Sequence, residues 1–380
     1  MPGGPTAQWE AWLNRVSAWF AVERLTRDRE DELADFFKAS YRDQPLSDQF
    51  LDDTLVRRRV RWITEGNPVP LDGGLPAWIC LQHNRIVGHF GALAADAVAG
   101  GAVMPMCWGR DLIVAPEARR LGAGPLLVMT AVRAAARPFM VAGLNDDSYS
   151  LCHGLGFRDS GKLPLYVKVH DAKRLMETTG SPMLGGRAAA ALVATAQTLS
   201  NRPRRRTRPV AVTPLERFDE EFDRWWAGVE PAFGCVVRRT SHTLAWRYRD
   251  HPSHGYRCFA ARDGQSLRGV VVVRTGQSRG LPAGFISEVL ADPGDRAALD
   301  SLIAHATAFF ASPDRETPVF VRCAVLHPAF ERVLRRAGFL RVPSPIRWMM
   351  IHPAGAAALG PLVERERWLL SAGDSDLDMV

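Results

Sequence analysis

Arg119, Gly122 and Gly124 stand in the spacing Arg-x-x-Gly-x-Gly, a pattern suited to holding a diphosphate. The glycines matter because a Cβ at Gly122 or Gly124 would keep a phosphate away from the backbone. A glycine-containing loop that feeds a helix presents unpaired N–H groups beside the positive end of the helix dipole. The flanking residues predict such a helix. Trp108 to Val114 reads as a strand, and apolar residues at Leu126, Leu127, Met129 and Val132 predict a helix from Pro125 to about Arg133. Proline suits the first turn, where its missing N–H has no partner in any case.

Other nucleotide loops fit less well. A Walker loop ends in Gly-Lys-Ser/Thr, where this chain has Gly124-Pro125. A dinucleotide fingerprint needs a third glycine and a later acidic residue. A helix start with glycines for close packing explains the bare loop equally well.

The wider pattern resembles a known superfamily. Val114-x-Pro116-x-x-Arg119-x-x-Gly122-x-Gly124 is similar to the acyl-CoA loop of the GNAT (GCN5-related N-acetyltransferase) proteins. A second block, Met140-Val-Ala-Gly-Leu-Asn145 followed by a short helix and Leu155-Gly156-Phe157, matches that superfamily's strand, asparagine, helix and Leu-Gly-Phe. The likeness covers roughly residues 75 to 170, including an early hairpin around His83-Asn84. It implies backbone N–H groups of Arg119, Arg120, Leu121, Gly122, Ala123 and Gly124 around the diphosphate. It further implies a thioester held along Leu112, Ile113 and Val114, and Asn145 against the pantetheine arm.

Catalytic side chains stay open. Many members place a tyrosine general acid where this chain has Cys152, and a thiol could protonate the departing thiolate; burial as a core residue is the alternative. Tyr149 lies one turn earlier, and His153 is a third option. Asp111 is the nearest candidate base, with a solvated or capping role as its alternative, while Trp108 and Arg110 could line an acceptor pocket. A net charge of +7 and dispersed arginines suit an anionic donor. The Arg202–Arg208 cluster lacks interleaved aromatics, so nucleic acid is not expected. Six scattered cysteines, with no Cys-x-x-Cys, suggest free thiols in a reducing cytoplasm and no metal. Residues 1–25 read as an amphipathic helix rather than a signal peptide, and no apolar run is long enough to span a bilayer.

The second half repeats the order of elements, and Gly338-Phe339 echoes Gly156-Phe157. Where a cradle would sit it has Asp292-Pro-Gly-Asp295, whose charge repels a diphosphate. The expected fold is α/β (α+β): two tandem GNAT-like domains, each a mixed, mostly antiparallel sheet flanked by helices. The expected boundaries are 1–171 for the first domain, 172–208 for a linker, 209–355 for a degenerate second domain and 356–380 for an acidic tail. Trp246-Arg-Tyr248 reads as core, and Trp368 suggests that the tail docks. The resemblance implies an acetyl-CoA-dependent N-acyltransferase in which an amine attacks directly in a ternary complex. The alternatives are a non-catalytic acyl-CoA-binding or sensor protein, and a transferase using another activated donor such as an aminoacyl-tRNA.

Overall fold

The computed structural model describes residues 12, 14–42, 52–178, 208–278, 280–312 and 316–375. The first strands are β1 (Ala21–Arg24), β2 (Ala77–Gln82), β3 (Arg85–Ala99), β4 (Ala102–Val114), β5 (Phe139–Ala142), β6 (Arg158–Lys162), β7 (Leu165–Val169) and β8 (Ala211–Pro214). They are followed by β9 (Cys235–Val237), β10 (Arg257–Asp263), β11 (Ser266–Ser278), β12 (Leu281–Ala291), β13 (Phe320–Leu326), β14 (Leu340–Val342), β15 (Arg347–Ile351) and β16 (Trp368–Ser371). Helices are α1 (Glu30–Tyr41), α2 (Asp53–Thr64), α3 (Pro116–Arg119), α4 (Ala123–Ala135) and α5 (Asp146–Gly154). Next come α6 (Ala172–Thr178), α7 (Glu220–Val229), α8 (Ser241–Tyr248), α9 (Arg296–Phe310) and α10 (Pro328–Arg336). Among the described residues no helix is long and apolar enough to cross a membrane.

The chain forms two compact units. Unit 1 comprises residues 1–162, 250–253 and 345–365; unit 2 comprises 163–249, 254–344 and 366–380. The sheet of unit 1 runs β1-β2-β3-β4-β5-β15-β6, antiparallel throughout except for the parallel pair β4 and β5. Unit 2 repeats the plan as β8-β10-β11-β12-β13-β7-β14, with β12 and β13 parallel. Both units are thus mixed, mostly antiparallel sheets flanked by helices.

Strand membership departs from the expected boundaries at 171 and 209–355. β7 belongs to the sheet of unit 2, and β15 to that of unit 1. Sequence explains the roles. In β15, Trp348, Met349 and Met350 are all buried, a continuous apolar run suited to a strand covered on both faces. β6 reads Arg-Asp-Ser-Gly-Lys and is largely exposed, as an edge strand must be to discourage further pairing. The linker residues 179–207, the tail residues 376–380 and residues 1–11 lie outside the described residues. Trp368 is fully buried, so residues 368–375 are a packed part of unit 2 rather than a loose tail.

Unit 1 has apolar clusters on both faces of its sheet. Leu127, Val128, Ala131 and Val132 of α4 pack with Cys80, Phe90, Cys107, Phe139, Val141 and Met349. Leu33 and Phe37 of α1 and Val56 and Val60 of α2 pack with Ala77, Ile79 and Ile86. Asp52 caps α2, its carboxylate accepting from the Leu55 N–H.

Candidate functional site

β4 and β5 pair only from Cys107↔Phe139 to Gly109↔Val141. Gly109 is required there: a Cβ would lie 2.6 Å from Phe90, 2.7 Å from Phe139 and 2.8 Å from Val141. Beyond it β4 bulges. Its pairing with β3 jumps from Gly91↔Arg110 to His89↔Ile113, leaving Asp111 and Leu112 opposite Phe90. Asp111 takes φ 48°, a left-handed conformation that aspartate tolerates better than most residues. A bulge bends its strand. Leu112–Val114 therefore have no strand partner on the β5 side, and β5 turns to donate from the Gly143 N–H to the Arg347 carbonyl. The two strands open into a wedge, one wall of which is a backbone edge without a strand partner.

α3 and its following turn lead from that edge into α4. The N–H groups of Arg119, Arg120, Leu121 and Gly122 all bond to carbonyls within the turn, and Arg119 Nε donates to the Val114 carbonyl at 2.7 Å. Of the six N–H groups expected around a diphosphate, those of Ala123 and Gly124 have no acceptor among the described residues. One of the two glycines also answers to the protein around it. Gly122 has φ 91°, and a Cβ on it would lie 2.7 Å from the Trp12 ring. Gly124 faces Leu151 at 3.4 Å. Gly122 is thus fixed by its left-handed backbone and by the Trp12 ring, whereas a Cβ at Gly124 would make only ordinary contacts, and the open N–H groups follow from where α4 begins.

The candidate catalytic side chains take other roles. The Asp111 side chain, 6% exposed, lies between two guanidiniums, 3.1 Å from Arg59 Nη2 and 2.9 Å from Arg110 Nε. Burial opposes its ionisation, but Arg110 and then Arg59 outweigh that and hold the carboxyl well below the ordinary range. Such a group is a poor base. Cys152 is 1% exposed in the apolar core on the α4 side, and burial pushes its thiol up to about 12. The thiol packs as core, in one cluster with Val114. Tyr149 donates to Asp159 Oδ2 at 2.8 Å, with Arg347 Cζ 4.4 Å over its ring. Asp159 lies on β6, two strands beyond β5, so the phenol is tied to the far side of β15. His153 is exposed and stacks on Tyr149. Asn145 caps α5, its Oδ1 accepting from the Ser148 N–H at 2.9 Å.

Trp108 and Arg110 are both buried. Arg110 lies over Trp62 of α2, whose ring meets His251 edge-on at 4.6 Å. His89 Nδ1 donates to the Asp111 carbonyl at 2.8 Å, which fixes its tautomer, and burial pushes the imidazole down to about 4. Arg59 and His89 escaped the sequence reading. Arg59 had a signal: it shares the stripe of Val56, Val60 and Ile63, where a charge needs a buried partner.

In unit 2 the corresponding features are closed. β12 and β13 part after Ile286↔Cys323, and β16 takes the vacated edge of β13 at Val325↔Ser371 and Leu326↔Leu370. The first turn of α9 is capped by Asp295, whose Oδ1 accepts from the Ala298 N–H at 3.0 Å while its carboxylate pairs with Arg268. Tyr248 is core and donates to Glu288 at 3.1 Å.

No family model matches the chain, and no curated protein matches it. Solved structures do. A GCN5-related N-acetyltransferase from Anabaena variabilis aligns at TM-score 0.59 and 12% identity, covering 88% of this chain and 73% of that one. Saccharomyces cerevisiae N-myristoyltransferase with bound myristoyl-CoA aligns at 0.56 and 10%, covering 88% and 80%. A GCN5-related N-acetyltransferase from Kribbella flavida aligns at 0.53 and 17%, covering 87% and 70%. The chain has the GNAT fold.

Proposed function

We propose that the protein is an acyl-CoA-dependent acyltransferase with one donor site, in unit 1, and that it moves an acetyl group to an amine. The observation that carries this reading is the continuous path from the unpaired edge Leu112–Val114 to the open N–H groups of Ala123 and Gly124. Those N–H groups, at the positive end of α4, suit the diphosphate of CoA. The unpaired edge suits an extended pantetheine arm, and an N–H on it would polarise the thioester carbonyl. The amine attacks that carbon, the C–N bond forms and the C–S bond breaks. The amine's surplus proton passes through water to the departing thiolate, so no side-chain acid is required. Fold neighbours that act on acetyl and myristoyl groups support the acyl-transfer class.

An acyl-CoA sensor is the second reading. It is favoured by the absence, among Asp111, Tyr149, Cys152 and His153, of a titratable side chain aimed into the wedge. The aminoacyl-tRNA reading rests on the Arg202–Arg208 cluster, most of which lies outside the described residues.

Thiol release from acetyl-CoA across a panel of amines separates the two. Release matched by acetylated amine supports transfer. Saturable binding without release across the panel selects the sensor, and no binding refutes both.

A further inference from the structure

Arg274, Phe285 and Arg322 form one row across three neighbouring strands of unit 2. Arg274 lies opposite Phe285 in the β11–β12 ladder, and Phe285 opposite Arg322 in the β12–β13 ladder. Residues paired in this way share a sheet face. Both guanidiniums close on the one ring, Arg274 Cζ at 3.7 Å and Arg322 Cζ at 5.1 Å from its centroid.

Arg274 is 4% exposed, its Nε has no acceptor, and it has no hydrogen-bond or ion-pair partner among the described residues. A buried charge is normally paired, because desolvation is costly and an aromatic face repays little of it. Arg239, equally buried in the same unit, shows the usual solution: it meets Glu288 at 3.3 Å and Asp374 at 2.7 Å. The space around Arg274 is also kept clear. A Cβ at Gly276, the next residue on that face, would lie 2.6 Å from Arg274 Nη1. Ser278, one step further along, accepts from Arg322 Nη1 at 3.3 Å, and both are half-buried, which makes them the open side. Toward Ser278 the paired positions sharing this face, Ala283, Phe320 and Val169, carry no acid, and Glu288, opposite Val272 at the other end, is engaged by Arg239 and Tyr248.

We propose that this row is an oxyanion-binding site, in which Arg274 and Arg322 grip the carboxylate or phosphate of a small ligand above Phe285. Guanidinium forks match both groups, and an anion between them supplies the charge that Arg274 lacks. The row is built from unit 2 alone, and its test does not depend on the donor reading.

Calorimetry and thermal unfolding of the full chain test it, with inorganic phosphate in one arm, succinate in the other, and chloride at matched ionic strength as reference. Saturable binding in the phosphate arm alone identifies a phosphate ligand, and in the succinate arm alone a carboxylate. Either carries the proposal if Arg274→Met weakens binding at least about tenfold while acetyl-CoA binding stays unchanged. Should Arg274→Met fail to fold, the same loss of binding is read in Arg322→Met. No saturable effect in either arm, or an effect untouched by both substitutions, overturns it.

Discussion

Met349 lies opposite Val141 in an antiparallel ladder, although half of the chain separates them. Tyr166 lies opposite Cys323 in the reciprocal arrangement. The sheet that carries the donor wedge is therefore completed by a strand from the C-terminal half of the sequence, and the sheet of unit 2 by one from the N-terminal half.

A chain ending at Thr178 should fail to fold. It keeps the whole cradle but leaves β5 and β6 without β15, whose three central side chains are buried. Circular dichroism is expected to show no cooperative transition. A truncated chain that unfolds cooperatively and binds acetyl-CoA as well as the full chain would contradict the strand assignment.

Asp111→Asn should act on stability rather than on chemistry. Breaking a buried ion pair by removing one partner costs about 3–5 kcal/mol, and here two guanidiniums lose their carboxylate. The expected signature is a large fall in denaturation midpoint with little change in the pH profile of the remaining turnover. A stable variant with an abolished rate would restore Asp111 as the base.

His89 makes unit 1 acid-sensitive. Its folded-state pKa is depressed to about 4 from 6.5, so the unfolded chain binds the proton first. Its contribution is complete above about pH 6.5 and is lost as pH falls toward 4, amounting to roughly 3 kcal/mol at 1.36 kcal/mol per unit. Urea midpoints measured from pH 7 to 4 should fall less steeply in His89→Asn. Equal slopes would mean that the imidazole is not buried as described.

The Arg239 network behaves in the opposite sense. Burial pushes the Glu288 and Asp374 carboxyls up against the pull of Arg239. Raised carboxyls favour the folded state at low pH, and that contribution is lost as pH rises through their folded values. Asp374→Asn leaves a one-to-one pair and should lose less stability at pH 8 than Arg239→Met, which strands two carboxylates. Arg239→Met is expected to cost about 3–5 kcal/mol, measured by urea unfolding at pH 6 and 8. The reverse ranking would contradict the network.

Much of the fold is legible in the residues. Apolar runs in β12, β13 and β15 and the repeated Gly-Phe ends mark the tandem sheets, because periodicity and turn glycines are local signals. The exchange of β7 and β15 is not, since the pattern of a strand marks it as a strand and only long-range pairing selects its partners. The opening between β4 and β5 lies beside the stretch that the glycine spacing marks, but Gly122 also answers to packing against Trp12, a contact no spacing rule reveals. Cys152 and Asp111 look available in the sequence because burial of a single cysteine or aspartate leaves no trace in its immediate neighbours. The Arg274 row depends on register across three strands, which a linear reading does not contain.

Native mass spectrometry of the full chain with acetyl-CoA tests the central claim most directly, alongside Arg120→Glu and Leu121→Glu. Both residues are exposed at the entrance to α4, so the added charge opposes a diphosphate without disturbing the core. The account predicts one acetyl-CoA per chain, weakened by each substitution and unaffected by Asp295→Asn in unit 2. Two molecules per chain, or one that persists through both substitutions, would contradict a single donor site at Ala123 and Gly124.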